Sequence, residues 1–217
     1  MAIDLGEGNT TNYYTVADDA SLSLPDGDWA IGFWCRLDDN AGTAFQYPFS
    51  WGAFGANDSI NIFIGESSLG DAIREDNVSF QLHDAAGDYY TNTAGTFVTG
   101  DNNDLPLDGT NVFVVIQRSG TTGQIYTCNA GGTATLQGSG TDSAVGAINP
   151  AGSIYIGARE DLQSARFFEE HMGEVFIAHD SFTVEEMTAI GAGFPLQAMA
   201  KDLKTHLQFL EASATVV

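Results

Sequence analysis

The chain predicts an all-β protein, an antiparallel two-sheet sandwich, and three observations predict it. Short apolar runs recur from end to end, separated by clusters of Gly, Asp, Asn, Ser and Thr that tolerate hairpin backbone angles. The best of these runs alternates with period 2, as a strand does. Helical spacing is confined to the C-terminal end.

The expected strands fall at 12–17 (NYYTVA), 29–37 (WAIGFWCRL), 44–52 (AFQYPFSWG), 60–66 (INIFIGE), 78–84 (VSFQLHD), 89–94 (YYTNTA), 111–119 (NVFVVIQRS), 123–131 (GQIYTCNAG), 153–160 (SIYIGARE) and 173–180 (GEVFIAHD). In 29–37, Ile31, Phe33, Cys35 and Leu37 share one face and should point into the sandwich. Gly32, Trp34 and Arg36 share the other. The run 111–119 is apolar on both faces, as a central strand is when both sides are covered. The expected core therefore includes Ile31, Phe33, Leu37, Val114, Ile116, Ile156, Val175 and Ile177. Gly/Ser/Thr-rich 131–152 reads as a hairpin and loop.

SFTVEEMTAIGAG has a Ser or Thr start, Glu185 and Glu186 in the first turn and a glycine stop, so a short capped helix is expected near 182–192. Leu196, Met199, Leu203, Leu207 and Leu210 then recur at near-helical spacing. At least the first half of 195–212 reads as helix, and THLQFLE can instead be extended. The simplest partition is one domain over 1–192 with a tail, 193–217, that is partly helical and packs on the domain or on a partner.

Of 217 residues, 29 are Asp or Glu and only 7 are Lys or Arg, a net charge of −22. Such a surface repels phosphates, so no nucleic-acid partner is expected. The acidic excess reads either as a solvated surface suited to a salty or extracellular medium, or as divalent-cation binding at Asp/Asn loops. No apolar stretch is long enough to insert in a membrane. MAIDLGEGNTTNYY lacks the basic start and apolar run of a secretory signal. Cys35 and Cys128 sit in strand-like runs and read as small buried hydrophobes rather than a bridge.

The order of motifs resembles the concanavalin A-like superfamily, in particular laminin G-like jelly-roll domains. Phe33-Trp34 ends the strand after the opening loop, and Ile156-Gly157 ends a later one. Gly173-Glu174-Val175 forms the penultimate strand, leading into a helix with Glu185-Glu186. The resemblance covers roughly 1–192. It implies a jelly roll and leaves function open, because that fold hosts lectins, glycosidases and adhesion modules.

Catalytic relatives carry an E-x-D-x-E strand, which puts three acids on one face. No such motif occurs here: two and four residues after Glu174 stand Phe176 and Ala178. Asp26 and Asp28 precede a strand and read as turn residues. His83, His171, His179 and His206 are isolated. The chain is thus expected to be no enzyme.

Binding is the remaining chemistry. Sugar recognition on this fold uses an exposed aromatic and polar loop residues, and often a calcium ion. Candidate ligand-binding aromatics are Trp51, Tyr89 and Tyr90. The candidate cation loop is GDNNDLPLDG, with Asp101, Asn103 and Asp104; no cofactor is required, and Ca2+ is the one admitted. The expected role is a non-catalytic structural or adhesion protein on a virion surface (a phage head-decoration or tail-associated component) that can bind glycans. It would have a protein partner in a larger assembly such as a capsid or tail, or in self-association. A bacterial carbohydrate-binding module or lectin is the alternative, with a glycoside hydrolase third. The expected location is the virion surface or the extracellular medium.

Overall fold

The computed structural model describes residues 2–5, 12–37, 45–65, 77–90, 98–99, 105–106, 108–141, 144–163 and 166–207. The strands are β1 (Ala2–Asp4), β2 (Tyr14–Val16), β3 (Trp29–Arg36), β4 (Phe45–Trp51), β5 (Ser59–Gly65), β6 (Val78–His83), β7 (Val98–Thr99), β8 (Asn111–Ser119), β9 (Thr122–Asn129), β10 (Thr135–Thr141), β11 (Ile154–Ile156), β12 (His171–Ala178) and β13 (Leu203–Leu207), with one helix, α1 (Val184–Gly191). They form two antiparallel sheets packed as a jelly-roll sandwich. One has seven strands, in the order β1-β12-β3-β8-β9-β10 with β13 also paired to β12. The other has six, ordered β2-β11-β4-β5-β6-β7.

Alternation explains the packing. Ile31, Phe33 and Cys35 of β3, with Leu37 beyond it, face Val112, Val114 and Ile116 of β8 in the core between the sheets. Ile156, Val175 and Ile177 complete the expected set, and every member is buried. The other face of the same sheet carries Ala30, Phe113, Val115, Cys128 and Phe176, which form a second apolar cluster. Both cysteines are free and lie in different clusters. Burial, reinforced by the Glu170 charge, pushes the Cys35 thiol up to about 12, so it is inert as a nucleophile.

Apolar side chains on the outer face need a roof, and the chain after β12 supplies it. Phe182, Met187, Ile190 and Leu196 cover that face. α1 starts at a capping box: the Thr183 hydroxyl accepts from the Glu186 N–H, and the Glu186 carboxylate accepts from the Thr183 N–H. Such a cap stabilises a helix by about 1 kcal/mol. At Gly191 any Cβ would run into the Cys128 sulfur, so glycine lets the last turn lie directly on β9.

The tail differs from expectation in its first half. At least the first half of 195–212 was expected as helix, with THLQFLE open to an extended form; a single 3-10 turn forms at Leu196–Ala198, and the chain then extends into β13, in line with the extended alternative as far as Leu207. The reason is the edge of β12. β1 pairs only with 171–173 of that strand, and β13 takes up Val175 to Ala178, satisfying backbone groups that would otherwise lie open. Lys201 fixes the return. Its ammonium donates to the Ser181 carbonyl at 2.6 Å, pairs with Glu186 at 2.9 Å and sits 5.1 Å over the Phe182 ring. Lys204 pairs with Asp202 at 2.8 Å. Both lysines thus pair with acids of this chain.

Three strands had no sequence expectation of their own: β1, β7 and β10, the last inside the expected hairpin-and-loop region 131–152. Of the expected strand at 89–94 only 89 and 90 are among the described residues, and there Tyr89 bridges to His83.

Phe33→Ala should cost about 3–5 kcal/mol and lower the melting temperature by ten degrees or so (both order-of-magnitude); an unchanged melting temperature would mean the inward face is misassigned. Truncation after Gly193 should expose the second cluster and the β12 edge. The truncated protein is expected to melt earlier and bind a hydrophobic dye, and full retention of stability would show that the tail is dispensable to the fold.

Candidate functional site

The two outer faces are unlike. That of the seven-stranded sheet is roofed by α1 and the segment after it. Among the described residues no helix packs on that of the six-stranded sheet. Its central strands alternate Ile60, Ile62 and Ile64 inward with Ser59, Asn61 and Phe63 outward, and Val78, Phe80 and Leu82 inward with Ser79 and Gln81 outward. Register aligns a polar row across four strands: Tyr155 of β11, Ser50 of β4, Asn61 of β5 and Gln81 of β6. The Ser50 hydroxyl donates to Asn61 Oδ1 at 2.6 Å, while Asn61 Nδ2, fully buried, finds no acceptor.

Beside the polar row lies an aromatic group. Tyr47, Phe49 and Trp51 have the same parity, yet a bulge between Gln46 and Phe49 separates them. Phe49 and Trp51 point into the core, and Tyr47 points out to Phe63 (ring centroids 5.8 Å) and Phe54 (6.0 Å). Phe45 meets Phe63 edge-on at 5.2 Å. Phe45 and Phe54 are half-buried, so each presents part of its ring to solvent.

Two loops lie on this face. In the first, the Gly55 N–H donates to Gln81 Oε1 at 2.8 Å and brings Phe54 over Tyr47. The second, described at 157–163 and 166–168, leaves β11. The Gly157 N–H donates to the Pro48 carbonyl within the bulge; its φ of 85° is one that glycine adopts without strain. The loop closes as a small hairpin, with Ala158 bridged to Phe167 and the Arg159 N–H donating to the Arg166 carbonyl at 3.0 Å. Residues opposite each other across such a pair point to the same side. Arg159 lies 5.5 Å over the Tyr47 ring and 5.6 Å over Phe54, and Arg166 lies 5.9 Å over Phe45. The Arg159 guanidinium makes a two-pronged contact with Asp161, at 2.9 and 2.5 Å. Hydrogen bonding from Arg159 holds the Asp161 carboxyl below its ordinary range against the opposing effect of burial. Burial raises the Tyr47 phenol, with Arg159 opposing.

The aromatics singled out from the sequence fare differently. Trp51 is wholly buried, and its Nε1–H donates to the Gly152 carbonyl at 3.1 Å; Tyr90 is 1% exposed in the core beside Phe80. Neither can stack on a sugar, which corrects that expectation. Tyr89 is half-buried against His83, 5.3 Å between centroids. Asp101, Asn103 and Asp104 lie outside the described residues. Among the described residues no three His, Cys, Asp or Glu side chains are grouped to hold a metal. Asp84, buried and acidic, is instead engaged by backbone N–H groups of Ala86, Asp88 and Gly146. Asp26 pairs with Arg118 at 3.1 Å, and Asp28 accepts from the Gly120 N–H and the Ser181 hydroxyl, so both tie turns together. Sequence reasoning missed Tyr47, Phe54, Arg159 and Arg166. The signal that could have found the arginines is their rarity in so acidic a chain.

No protein-family model matches the chain, and no curated protein matches it. Solved structures share its fold. A Bacteroides ovatus protein described as a candidate carbohydrate-binding protein is 12% identical, with a TM-score of 0.61; 91% of this chain is covered, and the chain spans 50% of that protein. A heptameric SAP-like pentraxin from Limulus polyphemus is 12% identical with a TM-score of 0.56, covering 94% of this chain and 88% of its own. The CBM40 module of a Ruminococcus gnavus IT-sialidase, solved with α2,3-sialyllactose, is 15% identical with a TM-score of 0.52, covering 88% and 96%. These likenesses show the fold, a jelly-roll sandwich.

A carboxyl whose pKa is lower folded than unfolded stabilises the fold above its unfolded pKa, and the contribution disappears as pH falls through the folded value. Asp161 is such a group. A carboxyl titration by NMR should place Asp161 below the ordinary aspartate value, and Arg159→Met should return it there; an ordinary value in the unsubstituted protein would contradict the Arg159–Asp161 geometry.

Proposed function

We propose that the protein is a non-catalytic glycan-binding jelly roll, and that the outer face of its six-stranded sheet is the binding surface. The observation that carries this is the arrangement on that face: partly exposed Phe45 and Phe54, set beside arginines on a closed hairpin. Aromatic faces accept the apolar side of a sugar ring, and arginines donate to its oxygens. The opposite outer face is filled by the chain's own apolar side chains and offers a ligand no such surface. The carbohydrate-binding descriptions of the B. ovatus protein and the CBM40 module support the reading.

Turnover is not part of this function. A hydrolase of this kind needs two carboxylates facing the sugar, whereas of the two acids beside Arg159 in sequence, Glu160 and Asp161, Asp161 is held by Arg159. A finer placement, on a virion surface as a head-decoration or tail-associated adhesion component, has support from one neighbour. That is tailspike protein 2 of an Escherichia coli O157:H7 bacteriophage, 10% identical with a TM-score of 0.59, of which this chain spans 28%. Detection of the chain in purified virions by mass spectrometry tests the placement; its absence from them would favour the free lectin or bacterial carbohydrate-binding module.

A glycan array that includes lactose and both sialyllactoses tests binding. The full chain is expected to bind a subset of spots, and Phe54→Ala should weaken that binding by about tenfold, the loss of one aromatic contact. A folded protein that binds no glycan overturns the reading.

A further inference from the structure

The hairpin 157–168 sets two like charges directly opposite each other. The Arg159 N–H donates to the Arg166 carbonyl, and the two side chains point the same way. Like charges in that relation are destabilising. The chain has 29 acids and 7 bases, so a base could readily find an acid. Most do. Arg118 pairs with Asp26, Arg159 with Asp161, Lys201 with Glu186 and Lys204 with Asp202. Arg166 does not: among the described residues its guanidinium makes no ion pair and no hydrogen bond, and its Nε is sealed from solvent with no acceptor. It lies 5.9 Å over the Phe45 ring, and its charge also acts on Asp161 and Tyr47 without a direct contact. Of the two acids of the same hairpin, Glu160 and Asp161, Asp161 has both oxygens on Arg159.

A half-buried guanidinium without an acceptor costs free energy that a docked anion would recover. We infer that Arg166 is the anchor for the carboxylate of an acidic glycan, with Phe45 beneath the guanidinium and the half-buried Phe54 beside it as the apolar floor for the ring. This rests on the glycan-binding reading and gives it a ligand class. The planar fork of arginine fits a carboxylate with two parallel hydrogen bonds. Arg159, whose fork is taken by Asp161, is a positioning residue that fixes Tyr47 and Phe54. The net charge of −22 adds a second requirement: long-range repulsion must be outweighed at short range, so an acidic ligand binds here only where it reaches Arg166 directly.

The test uses the full chain on an array of neutral, carboxylated and sulfated glycans, printed as such and again after methyl esterification of every carboxylate. Binding is expected on carboxylated spots and should fall about tenfold or more on esterification, the loss of a charge-assisted hydrogen bond. Arg166→Met should reproduce that loss, and Arg166→Lys should keep part of the binding. Binding that esterification leaves unchanged, or that is confined to neutral glycans, overturns this inference while the glycan-binding reading stands. Binding confined to sulfated glycans overturns the choice of carboxylate. No binding to any spot removes both. The esterification comparison needs no variant, so it decides even if Arg166→Met fails to fold.

Discussion

The structure depends on one constraint: the central strands of the seven-stranded sheet are apolar on both faces. Val112, Val114 and Ile116 of β8 look into the sandwich, while Phe113 and Val115 look away from it. Gly32 of β3 shows how tightly the outer side is filled, since a Cβ there would collide with the Phe176 ring. Burying such a face contributes about 25 cal/mol per Å2. The sandwich alone cannot cover it, because its other sheet lies on the inner side. The chain after β12 has to return across the outer face, first as α1 and then as β13. The Thr183 capping box and the several contacts of Lys201 hold that return in place.

This division of labour makes the two sides of the molecule chemically different. One side is finished by its own side chains. On the other, β4 to β6 place serines, an asparagine, a glutamine and phenylalanines under two short loops. The bulge in β4 is the device that joins those features. It turns Tyr47 outward and leaves the Pro48 carbonyl to catch Gly157, which in turn sets the hairpin bearing Arg159 and Arg166. A local irregularity in one strand therefore positions a loop from a distant part of the sequence.

Much of the fold was legible in the sequence because its signals are local. Period 2 in 29–37 identified the inward face residue by residue, and Thr183 with Glu186 marked the helix start. The site was less legible. Parity cannot reveal a bulge, and the register shift between Gln46 and Phe49 turns Tyr47 outward while Trp51, a stacking candidate from the sequence, points inward. Tyr90 is held in the core by packing against Phe80 of β6, a contact that no local pattern encodes. The apolar stripe at Leu196, Met199 and Leu203 fits helix or strand, and the open edge of β12 decided for strand. Arg159 and Arg166 gain meaning only when the hairpin brings them side by side.

The central claim is that a ligand lands on the outer face of the six-stranded sheet. Amide hydrogen exchange with and without a glycan that binds tests it most directly. The account predicts slowed exchange in 52–58 and 157–168 and none in 182–207, where the opposite face is already covered. Protection confined to 182–207, or protection that spares the 157–168 hairpin, would contradict it.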